Sequence, residues 1–119
     1  MQRFTDLLVW QKGHALALKL YRLSSKFPAD ERFGLISQIR RAAVSVPTNI
    51  AEGSKRRTRQ EYARFLNIAE GSIVEVEYLL MLAKDLGYLA PLSAHESMNE
   101  VSEISKMLHG LRVKVERGE

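Results

Sequence analysis

Residues 58–87 read T-R-Q-E-Y-A-R-F-L-N-I-A-E-G-S-I-V-E-V-E-Y-L-L-M-L-A-K-D-L-G, and their spacing decides the fold. Thr58 and Glu61 stand three apart, so the threonine hydroxyl can accept from the backbone amide of residue 61 and open a helix. Tyr62, Phe65, Ala69, Ile73, Val76, Leu80 and Ala83 recur every three or four residues, flanked by Leu66, Leu79 and Leu86. That period belongs to a helix, whereas a half-buried strand would alternate every second residue. Gly87 supplies a stop. The stretch predicts one helix of about 30 residues, roughly 45 Å long.

The same period recurs on both sides. A first helix is expected from about Asp6 to Lys26, with Trp10, Gly13, Ala17 and Tyr21 on one line and Leu16, Leu20, Leu23 and Phe27 on another, until Pro28 stops it. Asp30 is placed to cap a second helix, with Glu31 in its first turn. Ile36, Ile39, Ala43, Val46 and Ile50 follow, and Gly53 suits its C-terminus. Pro47 lies inside and should kink it. The fourth helix carries Val101, Ile104, Leu108, Leu111 and Val115. It can start at a second capping box, Ser93 with Glu96, or earlier at Pro91. Short connections make sequential helices antiparallel. The expected architecture is all-α, an antiparallel up-down-up-down four-helix bundle forming a single domain over residues 1–119.

Tyr62, Phe65, Leu66, Leu79, Leu80 and Leu82 cover more than one face of the third helix. One core uses one stripe, so this surplus suggests a second subunit. A wide contact with both neighbouring helices is the alternative. Asn49-Ile50-Ala51-Glu52-Gly53-Ser54 recurs as Asn67-Ile68-Ala69-Glu70-Gly71-Ser72. The first copy ends one helix and the second lies within another, so chance, or a shared need for small residues at helix contacts, explains the repeat better than a structural period. Gly71 in a helix costs up to about 1 kcal/mol against alanine, a cost that close packing would justify.

With no cysteine among 119 residues, disulfides, thiolate catalysis and cysteine-ligated metals are excluded. The polar stretch Met1–Asp6 lacks the pattern of a signal peptide, and no apolar run approaches the roughly 20 residues that span a bilayer. A cytoplasmic protein without membrane contact is expected. A di-iron bundle needs Glu-x-x-His pairs, but Gln11, Leu92 and Lys106 precede His14, His95 and His109 by three. H-E-x-x-H, G-x-x-x-x-G-K and G-x-S-x-G are all absent. His14 and His109 read as surface or subunit-contact residues, and Glu70, Glu75 and Glu77 as solvated or salt-bridged carboxylates. No catalytic residue, metal or cofactor is nominated.

Charge is the remaining signal. The net charge is +4, yet residues 40–64 hold seven bases (Arg40, Arg41, Lys55, Arg56, Arg57, Arg59, Arg64) against Glu52 and Glu61. Lys55, Arg56 and Arg57 can complement the C-terminal dipole of the second helix, but Arg59 falls in the first turn of the third, where a cation is disfavoured. In an up-down-up-down bundle the turn joining these helices shares its end with both termini. Arg3, Lys12, Arg112, Lys114 and Arg117 should therefore approach it and form one basic pole. Such a pole attracts polyanions through phosphate contacts that carry no base specificity. A merely solvated loop is the alternative.

These residues together resemble a known family. The signature is Phe4-x-Asp6-Leu7-x-Val9-Trp10-Gln11-Lys12, then Phe27-Pro28 with Glu31-Arg32-Phe33-Gly34-Leu35. The run Q-I-R-R-A-A-V-S-V-P-T-N-I-A-E-G follows from Gln38 to Gly53, with Phe65-Leu66-x-Ile68-Ala69-x-Gly71-Ser72 and Asp85-Leu86-Gly87-Tyr88-Leu89 after it. The chain resembles the 23S rRNA intervening-sequence proteins, also called the S23 or four-helix-bundle family. The resemblance implies a four-helix bundle assembled as a homopentamer. It also implies kinship with the accessory protein of diversity-generating retroelements, a basic pentameric barrel that binds nucleic acid and a reverse transcriptase. The motif carries over to Arg40, Arg41, Asn49, Glu52 and Gly53, for packing or for binding. The expected function is a non-enzymatic oligomer that binds RNA or DNA through its basic end. The alternative is a scaffold whose partner is another protein.

Overall fold

A computed structural model describes residues 3–119; Met1 and Gln2, which entered the reading of the N-terminus, lie outside it. A 3₁₀ turn, Phe4–Asp6, precedes α1 (Leu8–Ser24); a second, Ala29–Glu31, precedes α2 (Leu35–Ser54). Then come α3 (Arg59–Asp85) and α4 (Pro91–Arg117), and the described residues contain no strand. With 27 residues each, α3 and α4 are about 40 Å long and set the length of a rod measuring 45 × 24 × 20 Å.

Local chemistry sets each boundary. Thr58 Oγ1 accepts from the Glu61 amide at 3.1 Å, as its spacing predicts. α3 ends where Gly87, at φ +80°, lets Tyr88 N–H reach Ala83 O and Gly87 N–H reach Lys84 O, the hydrogen-bond pair of a Schellman motif. Of the two starts open to α4, the structure uses Pro91 at the first helical position. The cap expected of Asp30 is not made. Glu31 serves instead, its Oε1 accepting from Leu35 N–H at 3.1 Å while Oε2 accepts from the Tyr88 hydroxyl at 3.1 Å. One carboxylate thus caps α2 and joins the two turns at that end, and its hydrogen bond raises the Tyr88 phenol above its ordinary pKa. α2 runs unbroken through Pro47 to Ser54.

Cross-helix contacts fix the direction of every helix. Lys12 Nζ lies 2.6 Å from Glu103, and Lys19 Nζ lies 2.6 Å from Glu100 and 3.8 Å from Glu96. Lysines later in α1 meet glutamates earlier in α4, so the two run antiparallel. Arg40 early in α2 reaches Ser24 at the end of α1, and Gly53 at the end of α2 lies against Tyr62 and Phe65 early in α3 while Ser45 meets Ser72 further along, so these pairs run antiparallel as well. α3 packs closely on α2 and α4, α1 on α2 and more sparsely on α4, and no backbone approach joins either diagonal pair. This is the square section of an up-down-up-down bundle.

The core lies between the four inward stripes. Ile50, Leu66, Ala69, Val76, Ala83 and Leu108 are wholly enclosed. In α1 the buried line is Val9, Gly13, Leu16, Ala17 and Leu20, while Trp10 and Tyr21 fall to its edge. In α3 most of the expected surplus is consumed, because Leu66, Leu79 and Leu80 are buried and Tyr62 and Leu82 pack against the core, while Phe65 stays partly exposed. Ser97 is the exception, its hydroxyl fully buried with no hydrogen-bond partner. An unsatisfied buried hydroxyl costs about 1–3 kcal/mol, so Ser97→Ala should raise stability by about 1 kcal/mol in urea unfolding. A loss of stability would show that the hydroxyl is satisfied.

Candidate nucleic-acid interface

The turn between α2 and α3, the end of α4 and the start of the chain share one end of the rod. Its segments 3–6, 52–64 and 112–119 hold nine bases and five acids. The whole net charge of +4 is therefore gathered there, and the rest of the chain is balanced. Among the described residues, Arg3, Lys55, Arg56, Arg57, Arg59, Arg64, Lys114 and Arg117 make no ion pair with a carboxylate.

Each basic side chain near the turn is held differently. Lys55 ends α2 and is exposed, as is Arg57. Arg56 donates from Nε to the Glu52 carbonyl oxygen at 3.2 Å and lies over the Phe65 ring at 5.0 Å. Arg64 approaches the same ring at 5.1 Å. Arg59 begins α3, against the helix dipole, but its guanidinium lies on Gly118, the left-handed residue that closes α4. The partial negative charge of that neighbouring C-terminus offsets the unfavourable position. A cleft of about 1000 Å³ opens beside it, walled by Thr58, Arg59, Arg64, Asn67, Arg112 and Glu116.

Two bases expected at this pole are neutralised locally. Lys12 pairs with Glu103. Arg112 is held by Glu70 through a short Nε contact and by Glu116 at 3.1 Å, which together raise its pKa. His109 Nδ1 lies 3.7 Å from the same Glu70.

The remaining family-motif residues lie elsewhere or serve packing. Arg40 and Arg41 are about 20 Å from the turn along α2. Arg40 donates from Nε to Ser24 Oγ at 2.8 Å and from its terminal nitrogen to the Tyr21 carbonyl at 3.1 Å, over the Tyr21 ring. It thereby braces the last turn of α1, where the Tyr21 carbonyl also accepts from the Ser25 amide at 3.2 Å. Arg41 is exposed. Asn49 Nδ2 donates to the Ser45 carbonyl at 2.8 Å and to Ser45 Oγ at 3.0 Å. Ser45 Oγ lies 2.8 Å from Ser72 Oγ, and that hydroxyl donates to the Ile68 carbonyl at 3.2 Å, so a polar chain ties α2 to α3. Gly53 does not end α2 as a left-handed cap. It is buried inside the last turn, where a Cβ would meet Phe65 Cβ at 2.8 Å and Tyr62 Cδ1 at 3.0 Å. Glu52 is exposed at the end of an apolar groove between α1 and α2.

That groove, about 470 Å³, is lined by Phe4, Trp10, Ala17, Leu18, Val44 and Pro47 among others, with the His14 ring stacked on Trp10 at 5.1 Å. A second apolar face lies on α3, where Ile68, Val74, Tyr78 and Met81 are exposed around Gly71. Nothing lies within 4 Å of a Cβ placed on Gly71. The two copies of the hexapeptide therefore differ, since Gly53 is crowded by α3 and Gly71 faces outward. Sequence reasoning had assigned the outward surface to other residues of α3, because rotation about the helix axis decides which flank of a wide stripe is covered.

Among the described residues, no helix is long and apolar enough to cross a membrane, and no three His, Asp or Glu side chains gather as a metal would require.

Three comparisons bear on this arrangement. The family model of the 23S rRNA-intervening sequence protein matches residues 5–110. A crystal structure of a protein of unknown function from the S23 ribosomal protein family of Bacteroides thetaiotaomicron superposes with a TM-score of 0.80 at 26% identity, covering 88% of this chain and 98% of that one. No curated protein matches.

Proposed function

The chain belongs to the 23S rRNA-intervening sequence protein family, and on that footing we propose that it is a non-enzymatic, self-assembling bundle whose basic pole binds the phosphates of RNA or DNA. The observation that carries the reading is the gathering of all the net charge at one end, on side chains without carboxylate partners. Two unlike apolar faces, the α1–α2 groove and the outer face of α3, support assembly. Contacts between unlike faces are heterologous and close into rings when the rotation permits. A homopentamer, as the family resemblance implies, would repeat the pole around such a ring.

Fluorescence anisotropy with a labelled RNA hairpin and a DNA duplex tests the binding. Affinity should fall on the order of 100-fold between 50 and 200 mM salt, as counterion release at a few phosphates requires. Joint replacement of Lys55, Arg56, Arg57 and Arg59 by alanine should remove most of it. Absence of binding at 50 mM salt sinks the nucleic-acid reading. An oligomer by light scattering would then leave the protein–protein scaffold, and a monomer would remove that too.

A further inference from the structure

We infer that Arg56 and Arg64, held on one phenylalanine ring, clamp consecutive phosphates of a single nucleic-acid strand, so that recognition is blind to base sequence. The inference rests on the basic-pole reading and names what the pole takes.

The two guanidinium carbons lie 5.0 and 5.1 Å from the centroid of Phe65, and hence no more than 10.1 Å apart. Two like charges this close repel, and among the described residues neither has a carboxylate within ion-pair distance. Glu52 and Glu61, the nearest acids in sequence, pair with neither. The fold maintains the pair by cation–π attraction and, for Arg56, by the bond from Nε to the Glu52 carbonyl. That bond fixes the side chain yet leaves its terminal N–H groups, which suit the planar oxygen pairs of phosphate. Arg64 also walls the cleft beside α4, together with Arg59 and Arg112 and with the carboxylates of Glu61 and Glu116.

The same stacking fixes what is not read. A platform for bases needs an uncovered aromatic face, whereas the Phe65 ring is occupied by two guanidinium groups and is itself only partly exposed. Phosphate contacts alone give affinity without sequence information.

The test uses labelled 16-nucleotide oligo-dT, oligo-rU and a mixed-sequence strand, titrated across a salt series with the full-length protein. Wild-type protein should bind all three within about 3-fold. In R56A/R64A the slope of log affinity against log salt should shrink by about 1.4, the value for two phosphates on a single strand. F65L keeps every charge, so it should keep the slope while affinity falls several-fold. R22A/R32A, which removes the same charge at the opposite end of the bundle, should leave both unchanged. Thermal melts confirm that each variant is folded. Binding by the wild type with an unchanged slope in R56A/R64A overturns the clamp and leaves the pole standing. A preference above 10-fold among the three strands overturns its blindness to sequence. No binding by the wild type overturns both the clamp and the pole. Competition by free pyrophosphate at equal phosphate concentration, as strong as by oligo-dT, would assign the pair to a small anion and overturn the strand.

Discussion

Gly53→Ala should destabilise the protein by about 2 kcal/mol, while Gly71→Ala and Gly110→Ala should each stabilise it by up to about 1 kcal/mol. All three glycines lie inside helices, where alanine is intrinsically favoured. Their surroundings set the sign. At Gly53 the new methyl would sit 2.8 Å from Phe65 Cβ and 3.4 Å from the Tyr62 carbonyl oxygen, atoms close to the backbone of α3 that cannot swing aside. Helices α2 and α3 would have to part there. At Gly71 and Gly110 nothing of the same chain lies within 4 Å, so within one subunit only the backbone entropy changes. Urea unfolding at one fixed protein concentration reads all three. Stabilisation by G53A would mean that α2 and α3 do not meet there.

Leu108→Ala should cost about 3–4 kcal/mol, a large share of the 5–15 kcal/mol expected of a domain this size. The side chain has 0% exposure and belongs to the central cluster of the bundle. Truncation removes its transfer free energy and leaves a cavity that rigid helices refill only in part. Leu92, at 69% exposure, is the matched control and should change stability by less than about 0.5 kcal/mol. Thermal unfolding should separate the two by roughly 10–15 °C. Equal shifts would contradict the placement of Leu108 in the core.

The helices were legible because amphipathic period and end signals are local properties. Thr58 and Gly87 do what their spacing predicts, and Pro91 takes one of the two starts left open to α4. Glu31 was misread because its carboxylate acts four residues ahead, across a 3₁₀ turn that no periodicity marks. Gly53 looked like a terminus because helix ends and helix contacts both favour glycine. The basic pole was legible from charge and topology together. Its membership was not, because pairing depends on which residues of another helix stand at the same height. Lys12 meets Glu103 and Arg112 meets Glu70 for that reason, and Arg40 turns away to the end of α1.

The ladder from Lys12 and Lys19 to α4 has a consequence for motion. α1 is the shortest of the four helices, and it meets α4 sparsely, with partly exposed ion pairs along that seam. Such pairs are worth little each and weaken further as salt screens them. The outermost opening expected of this molecule is a hinge-like peeling of α1 about its contact with α2, and hydrogen exchange should then show the three longer helices as the slower-exchanging unit.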